Sequence, residues 1–301
     1  MKAIQVPCPA HRFSWMLVRA MLMLAAICIF AAVQANAKIH LKISACRIAI
    51  DAFNHWTSGT SWEDIEHYNN FNAIRPTVDL VLQLQALRAG GLDFDFEFVP
   101  APDYERAKLK VLQGEAVLTA ETIWDDEITK HENILFKTIP IIREGEFVLG
   151  IYTLPSNEKL LKINTLEELR QYTAVVVESW THDVATLQGM NLKKIEQVGH
   201  FDAVFLRLQN KQADFMLTQF STKPDMSTEH RGIKLVPVPK CTVTLHGSRC
   251  WIVAQGSPIG AQVFTALKTG SKILRNNGTI ERAYRESGFI NAHVADWKRL
   301  F

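Results

Sequence analysis

The sequence predicts an α/β fold in which strands and helices alternate around a parallel or mixed sheet. Three observations carry this expectation. Segments of strand period and helix period take turns through the first half, in the order β-loop-α-β-α-β. The stretch 165–220 repeats the alternation in a compact unit. Setting aside the amino-terminal 37 residues leaves roughly 264, enough for two lobes or one large α/β domain.

In chain order, 41–50 is apolar and β-favouring and reads as the first strand. Positions 51–72 are polar, aromatic and rich in turn formers, so they read as a long loop with one helical turn; long loops in compact domains tend to be functional. Val78, Val81, Leu82, Leu84 and Leu87 recur close to helical period, and Gly90-Gly91 ends that helix. Phe94, Phe96 and Phe98 alternate with acids, the pattern of a half-buried strand. Pro102-Asp103 opens a helix to Leu112, and 116–120 is the next strand. In the 165–220 unit, a capped helix (165–170) leads to an apolar strand (174–177). The polar turn Glu178-Ser179-Trp180-Thr181 opens a helix. A strand near 194–198, a helix over 201–209 and a strand over 213–218 follow. A strand returns at 248–254, then Pro258 and helices over 261–274 and 280–286.

Lys2, Arg12 and Arg19 precede an apolar run over 20–33, and Ala35-Asn36-Ala37 supplies small residues for cleavage, the parts of a secretory signal peptide. The alternative is a retained anchor, though the run is short for a membrane span, which needs about 20 residues. Cleavage would change the formal net charge from +2 to −1. A near-neutral chain gives no electrostatic case for nucleic acid. Cys46, Cys241 and Cys250 remain, enough for one disulfide in an oxidising compartment, with Cys241 and Cys250 the preferred pair. The histidines are scattered, with no HExxH or CxxC spacing, so no metal and no cofactor is expected.

Three segments carry a resemblance to a known family. Glu146-Phe147-Val148-Leu149-Gly150-Ile151-Tyr152 looks like a first hinge strand. The 165–220 unit, including Gln212-Ala213-Asp214-Phe215, looks like an inserted second lobe. Trp251-Ile252-Val253-Ala254-Gln255-Gly256-Ser257-Pro258 and Asn277-Gly278-Thr279-Ile280 look like a return strand and a closing helix start. Together they resemble periplasmic solute-binding proteins of family 3, the substrate-binding components of ABC transporters. The resemblance implies a two-lobed periplasmic-binding-protein-like (type 2) fold, each lobe a mixed sheet flanked by helices. Its expected divisions are a signal peptide (1–37), the first part of lobe 1 (38–146), lobe 2 (147–247) and a return segment of lobe 1 (248–301). It also implies a periplasmic monomer that binds a small molecule and meets an inner-membrane ABC permease or a membrane receptor.

Two departures matter. Amino-acid binders of this family place an arginine shortly before the first hinge, whose guanidinium forks onto the ligand carboxylate. Here 120–127 contains none. They also place an acid where this chain has Gln219. The expectation is that ordinary α-amino acids are poor ligands, because a buried zwitterion without partners is costly.

The expected ligand contacts are Trp56, Glu121 and Trp124 from one lobe and Ser179, Trp180, Thr181 and Gln219 from the other. In open α/β sheets ligands sit beyond the carboxyl ends of the strands, where the turns after Val177 and Thr218 lie. Backbone N–H groups at the helix start after Val177 suit an anion or carbonyl oxygen, though Ser179 or Thr181 also serves as a plain cap. Aromatic residues suit a planar or cationic solute, or else pack on the lobe surface. Ser179, His182 and Asp183 are too close in sequence for a hydrolase triad, whose members come from separate elements. The chain reads as a binding protein and not an enzyme. The alternatives are a sensor or accessory binder without a permease, and a dehydratase or glycan-cleaving enzyme on the same fold.

Overall fold

The computed structural model describes residues 38–301. The signal-peptide reading of 1–37 lies outside the described residues. The chain divides into two units, the larger comprising Leu41–Leu92 and Phe96–Phe301. The described part of the smaller is 38–40 and 93–95, where Lys38 and His40 pair with Asp95.

The first strand, β1 (Ile39–Cys46), ends earlier than expected and passes directly into α1 (Arg47–Trp56). Ala49, Phe53 and Trp56 are buried at helical spacing, which is why the helix wins over a loop at 51–56. The rest of the expected loop is irregular apart from a 3-10 turn at Trp62–Asp64. Helix α2 (Arg75–Ala89) follows, with Pro76 in its first turn. Next come β2 (Phe94–Ala101), α3 (Tyr104–Leu112) and β3 (Leu118–Thr119). Asp103 caps α3 by accepting from the Arg106 amide at 2.8 Å. Two short elements, β4 (Ile123–Trp124) and α4 (Asp125–Thr129), lead to β5 (Leu135–Lys137).

The second half begins at β6 (Val148–Thr153). A Thr165–Glu168 capping box starts α5 (Leu166–Leu169). Then follow β7 (Thr173–Val177), α6 (Thr181–Gly189), β8 (Lys194–Val198), α7 (Phe201–Gln209) and β9 (Met216–Thr218). Two unexpected strands, β10 (Thr228–His230) and β11 (Ile233–Thr244), form a hairpin. The chain returns through β12 (Arg249–Cys250) and β13 (Ile252–Ala254). It closes with α8 (Gly260–Asn276), α9 (Thr279–Glu286) and β14 (Lys298–Arg299).

The first sheet runs β2-β1-β3-β13-β5 and the second β10-β11-β6-β9. The first is mixed: β1 and β3 are parallel, with Ile43 opposite Leu118, while β13 is antiparallel to both neighbours. In the second, β6 is antiparallel to β11 and β9. A parallel pair, β7 and β8, joins it through the Ala174–Phe215 bridge. A separate two-stranded ribbon pairs β4 with β12, Trp124 opposite Arg249. Near the end of the chain, β14 pairs with β11, and Val294 and Trp297 pack on the second core.

Helices α2 and α8 pack at backbone contact. A Cβ on Gly270 would lie 1.7 Å from the Ala86 carbonyl oxygen, and one on Gly90 2.0 Å from that of Ala266. Gly270→Ala is expected to push the helices apart at a cost of about 3 kcal/mol, near the upper end for overpacking. An unchanged thermal midpoint would show that the contact is not tight in solution.

The expected Cys241–Cys250 disulfide is corrected: Cys46, Cys241 and Cys250 are all free and buried. Cys241 sits on β11, its thiol 3.6 Å from the Ile163 carbonyl oxygen, while Cys250 sits on β12 among Val111, Ile123 and Ile252. Cys241 belongs to the second sheet and Cys250 to the separate ribbon, so shortness of the intervening loop does not bring the two side chains together.

Among the described residues no helix is long and apolar enough to cross a membrane, and no three His, Cys, Asp or Glu are grouped to hold a metal ion.

Candidate functional site in a polar cleft

The cleft lies where α3, α4 and the β4–β12 ribbon meet the first turn of α6. β7 is buried along Ala174–Val177, and the turn after it delivers Thr181, His182 and Asp183 to the opposite side. Thr181 Oγ1 lies 3.5 Å from Glu127 Oε1 and His182 Nε2 lies 2.9 Å from Asp126 Oδ1. The His182 ring stacks on Trp124 with centroids 4.0 Å apart and planes 13° apart. Burial lowers the pKa of His182, against the pull of Asp126 and Glu127. Nδ1 makes no hydrogen bond and lies 3.7 Å from Glu127 Oε1.

Beside these contacts is a recess of about 340 Å³, lined by Glu105, Lys108, Asp126, Glu127, Thr181 and His182 among others. Its floor is charge-paired. Lys108 Nζ lies 2.6 Å from Glu127 and 2.8 Å from Glu105. Burial opposes the charge on Lys108, yet those two acids raise its pKa overall. The Tyr104 hydroxyl donates to Glu127 Oε2 at 3.2 Å.

Two guanidinium groups are buried next to this site. Arg75 donates from Nη1 to Asp79 Oδ2 at 2.7 Å and from Nη2 to Glu121 Oε2 at 3.2 Å. Burial works against its charge, and Asp79 and Glu121 more than offset that, so its pKa is raised. Arg249 donates from Nε to Thr122 Oγ1 at 3.0 Å and from Nη2 to the Thr122 carbonyl oxygen. Its guanidinium lies 4.6 Å from the Trp124 ring centroid, 5.3 Å from Tyr104 and 5.8 Å from Phe147. Asp183 is within electrostatic reach of both arginines, but enclosure by the surrounding protein raises its pKa to about 7 despite them.

Of the expected ligand contacts, Thr181 lines the recess, Trp124 stacks on His182 beside it, and Glu121 is buried against Arg75. Ser179 and Trp180 lie in the same turn, but Trp180 packs on the second core, 5.8 Å from Phe201. Gln219 is half-buried in the loop after β9. Trp56 is not in the cleft: it is buried at the end of α1, edge-on to Tyr68 at 6.0 Å, because the expected loop there is a helix with an apolar face. No arginine lies in 120–127, yet Arg75 and Arg249 arrive from α2 and β12, and Asp183 from α6. Only a hint existed in sequence: Arg75 and Asp79 are four apart at a helix start, and Arg249 abuts the return strand.

No protein-family model matches the chain, and no curated protein matches it. Solved structures do. One is the probable amino-acid ABC transporter extracellular-binding protein ytmK from Bacillus subtilis, at TM-score 0.55 and 11% identity, covering 82% of this chain and 97% of that one. A second is the periplasmic VFT2 domain of Bordetella pertussis BvgS, at TM-score 0.52 and 16% identity, covering 82% and 93%. A third is the GluR0 ligand-binding core in complex with L-glutamate, at TM-score 0.52 and 14% identity, covering 84% and 100%. The chain has the two-lobed type 2 periplasmic-binding-protein fold.

Proposed function

We propose that this protein is an exported solute-binding protein that closes two lobes on a small polar solute and performs no turnover. The observation that carries the reading is the recess itself: polar side chains from α3 and α4 on one side face the first turn of α6 on the other. Hinge closure is the motion such an arrangement serves. The proposed lobes are 38–146 with the return segment from 248, and 147–247 joined by the last residues around β14. The proposed setting is the periplasm, as a monomer. The partner is an ABC permease, as the name of the similar ytmK structure suggests, or a membrane receptor.

The solute is proposed not to be an ordinary α-amino acid. Both Nη groups of Arg75 are committed to carboxylates, and the Nε–Nη2 edge of Arg249 is committed to Thr122. Arg75 therefore offers no unengaged pair of Nη groups, and on Arg249 only the Nη1 end remains, with the Tyr104, Trp124 and Phe147 rings around the guanidinium.

A thermal-shift screen of amino acids, polyamines, organic acids, sugars and aromatic solutes tests this reading, followed by solution scattering with any hit. A ligand at 100 times its dissociation constant should stabilise by about 2.7 kcal/mol. The expected result is a hit outside the α-amino acids that compacts the protein. Saturable micromolar binding of an α-amino acid overturns the exclusion, and a hit without compaction overturns closure.

A further inference from the structure

Arg249 is a buried guanidinium, 4% exposed, with no carboxylate at ion-pair distance among the described residues. Its hydrogen bonds go to a single residue, Thr122. Burying such a charge is costly unless something replaces its hydration. What surrounds it is aromatic: the rings of Tyr104, Trp124 and Phe147 all lie within 6 Å of its central carbon. Ring faces carry negative quadrupole charge, and a cation set among several of them is held by it. These rings come from three separate segments, α3, β4 and the approach to β6, and Arg249 comes from a fourth.

We propose that Tyr104, Trp124 and Phe147 form a cation-binding cage that the chain fills with its own Arg249. With that side chain truncated, the cage takes a small organic cation of guanidinium or quaternary ammonium type. Arg249 is thus a specificity determinant: it keeps cationic solutes out of this part of the cleft and leaves the recess beside α4 and α6 for the solute. The inference rests on the solute-binding reading only for that last consequence. The cage itself stands on the ring geometry.

The Thr122 carbonyl and hydroxyl add direction to the rings. They accept from Nε and Nη2 of Arg249, so methylguanidinium can reproduce the bonds as well as the charge. Tetramethylammonium can reproduce only the charge. Methylguanidinium is therefore expected to bind the truncated protein more tightly than tetramethylammonium does.

The test is calorimetric titration of the purified wild-type protein and Arg249→Ala with methylguanidinium chloride, against potassium chloride at equal ionic strength. The variant is expected to bind at least roughly tenfold more tightly than wild type, and Trp124→Leu in the variant background is expected to abolish the gain. Equal affinities, or a gain that survives Trp124→Leu, overturn the proposal. Should Arg249→Ala not fold unaided, refolding in methylguanidinium is expected to restore the wild-type circular dichroism, and failure of that rescue overturns the proposal as well. A wild-type solute hit without cation binding by the variant sinks the cage alone. Cation binding by the variant with no solute for wild type sinks the solute reading and leaves the cage standing.

Discussion

Asp79→Ala is expected to destabilise the protein by about 3–5 kcal/mol, the range for removing one partner of a buried ion pair. Asp79 is fully buried on α2 and serves four donors. Arg75 Nη1, the Thr122 amide and the Thr122 hydroxyl donate to one oxygen at 2.7, 3.0 and 2.8 Å, and the Tyr284 hydroxyl donates to the other at 2.6 Å. Burial, and then the charge of Asp79, hold the Tyr284 phenol well above its ordinary pKa, so it stays a donor. Truncation leaves those donors without their acceptor and Arg75 with Glu121 alone. Because Asp79 ties α2 to the Thr122 loop and to α9, the loss spreads across three elements. At about 2–4 °C per kcal/mol for a chain of this size, the midpoint should fall by roughly 10 °C. Asp79→Asn keeps the shape and should cost less. A midpoint for the alanine variant within about 2 °C of wild type would mean that the network contributes nothing net.

That network explains why the fold was more legible in the sequence than the site. Local signals survive folding when one element satisfies them. Thr165 and Glu168 form their capping box within four residues, and Val204, Phe205 and Leu208 present one face of α7 wherever it packs. The sequence therefore located those elements. Failures came where two patterns competed or where partners were distant. At Arg47–Trp56 the turn-forming polar residues masked a buried face at 49, 53 and 56. At Ile233–Thr244, Pro237 and Pro239 argue against a strand; the ladder with β6 shifts register between Pro237 and Thr242, and so tolerates them. In the cleft, Arg75 and Glu121 are 46 positions apart and Arg249 and Thr122 are 127 apart. No periodicity links such residues. Glu121, Trp124 and Thr181 were singled out because they follow strands, where ligands and catalytic groups collect in α/β folds. The arginines that meet them follow no such rule.

Asp183→Asn is expected to make the protein more stable at neutral pH and to remove part of its pH dependence. Enclosure raises the carboxyl from its ordinary 3.8 to about 7, with Arg249 and Arg75 pulling the other way. Asp183 has no ion-pair partner among the described residues, and the two arginines and a backbone N–H only partly offset the lost hydration of its ionised form. Between these two values the folded protein holds a proton that the unfolded chain has released, so the Asp183 contribution is fully present below about pH 4. It is lost as pH rises towards 7 and flat beyond. At about 1.4 kcal/mol per pKa unit the penalty at pH 8 is at most about 4 kcal/mol. His182, on the same turn, acts oppositely: its lowered pKa favours the folded state above the ordinary imidazole value and penalises it as pH falls. The two effects overlap, so wild-type stability alone cannot separate them. The difference between wild type and Asp183→Asn can, because His182 is present in both. Urea unfolding at pH 4, 6 and 8 should show the two proteins nearly equal at the lowest pH and the asparagine variant progressively more stable above it. A difference that stays constant across that range would mean that Asp183 titrates near its ordinary value, and that the first turn of α6 stands open to water rather than against the ribbon.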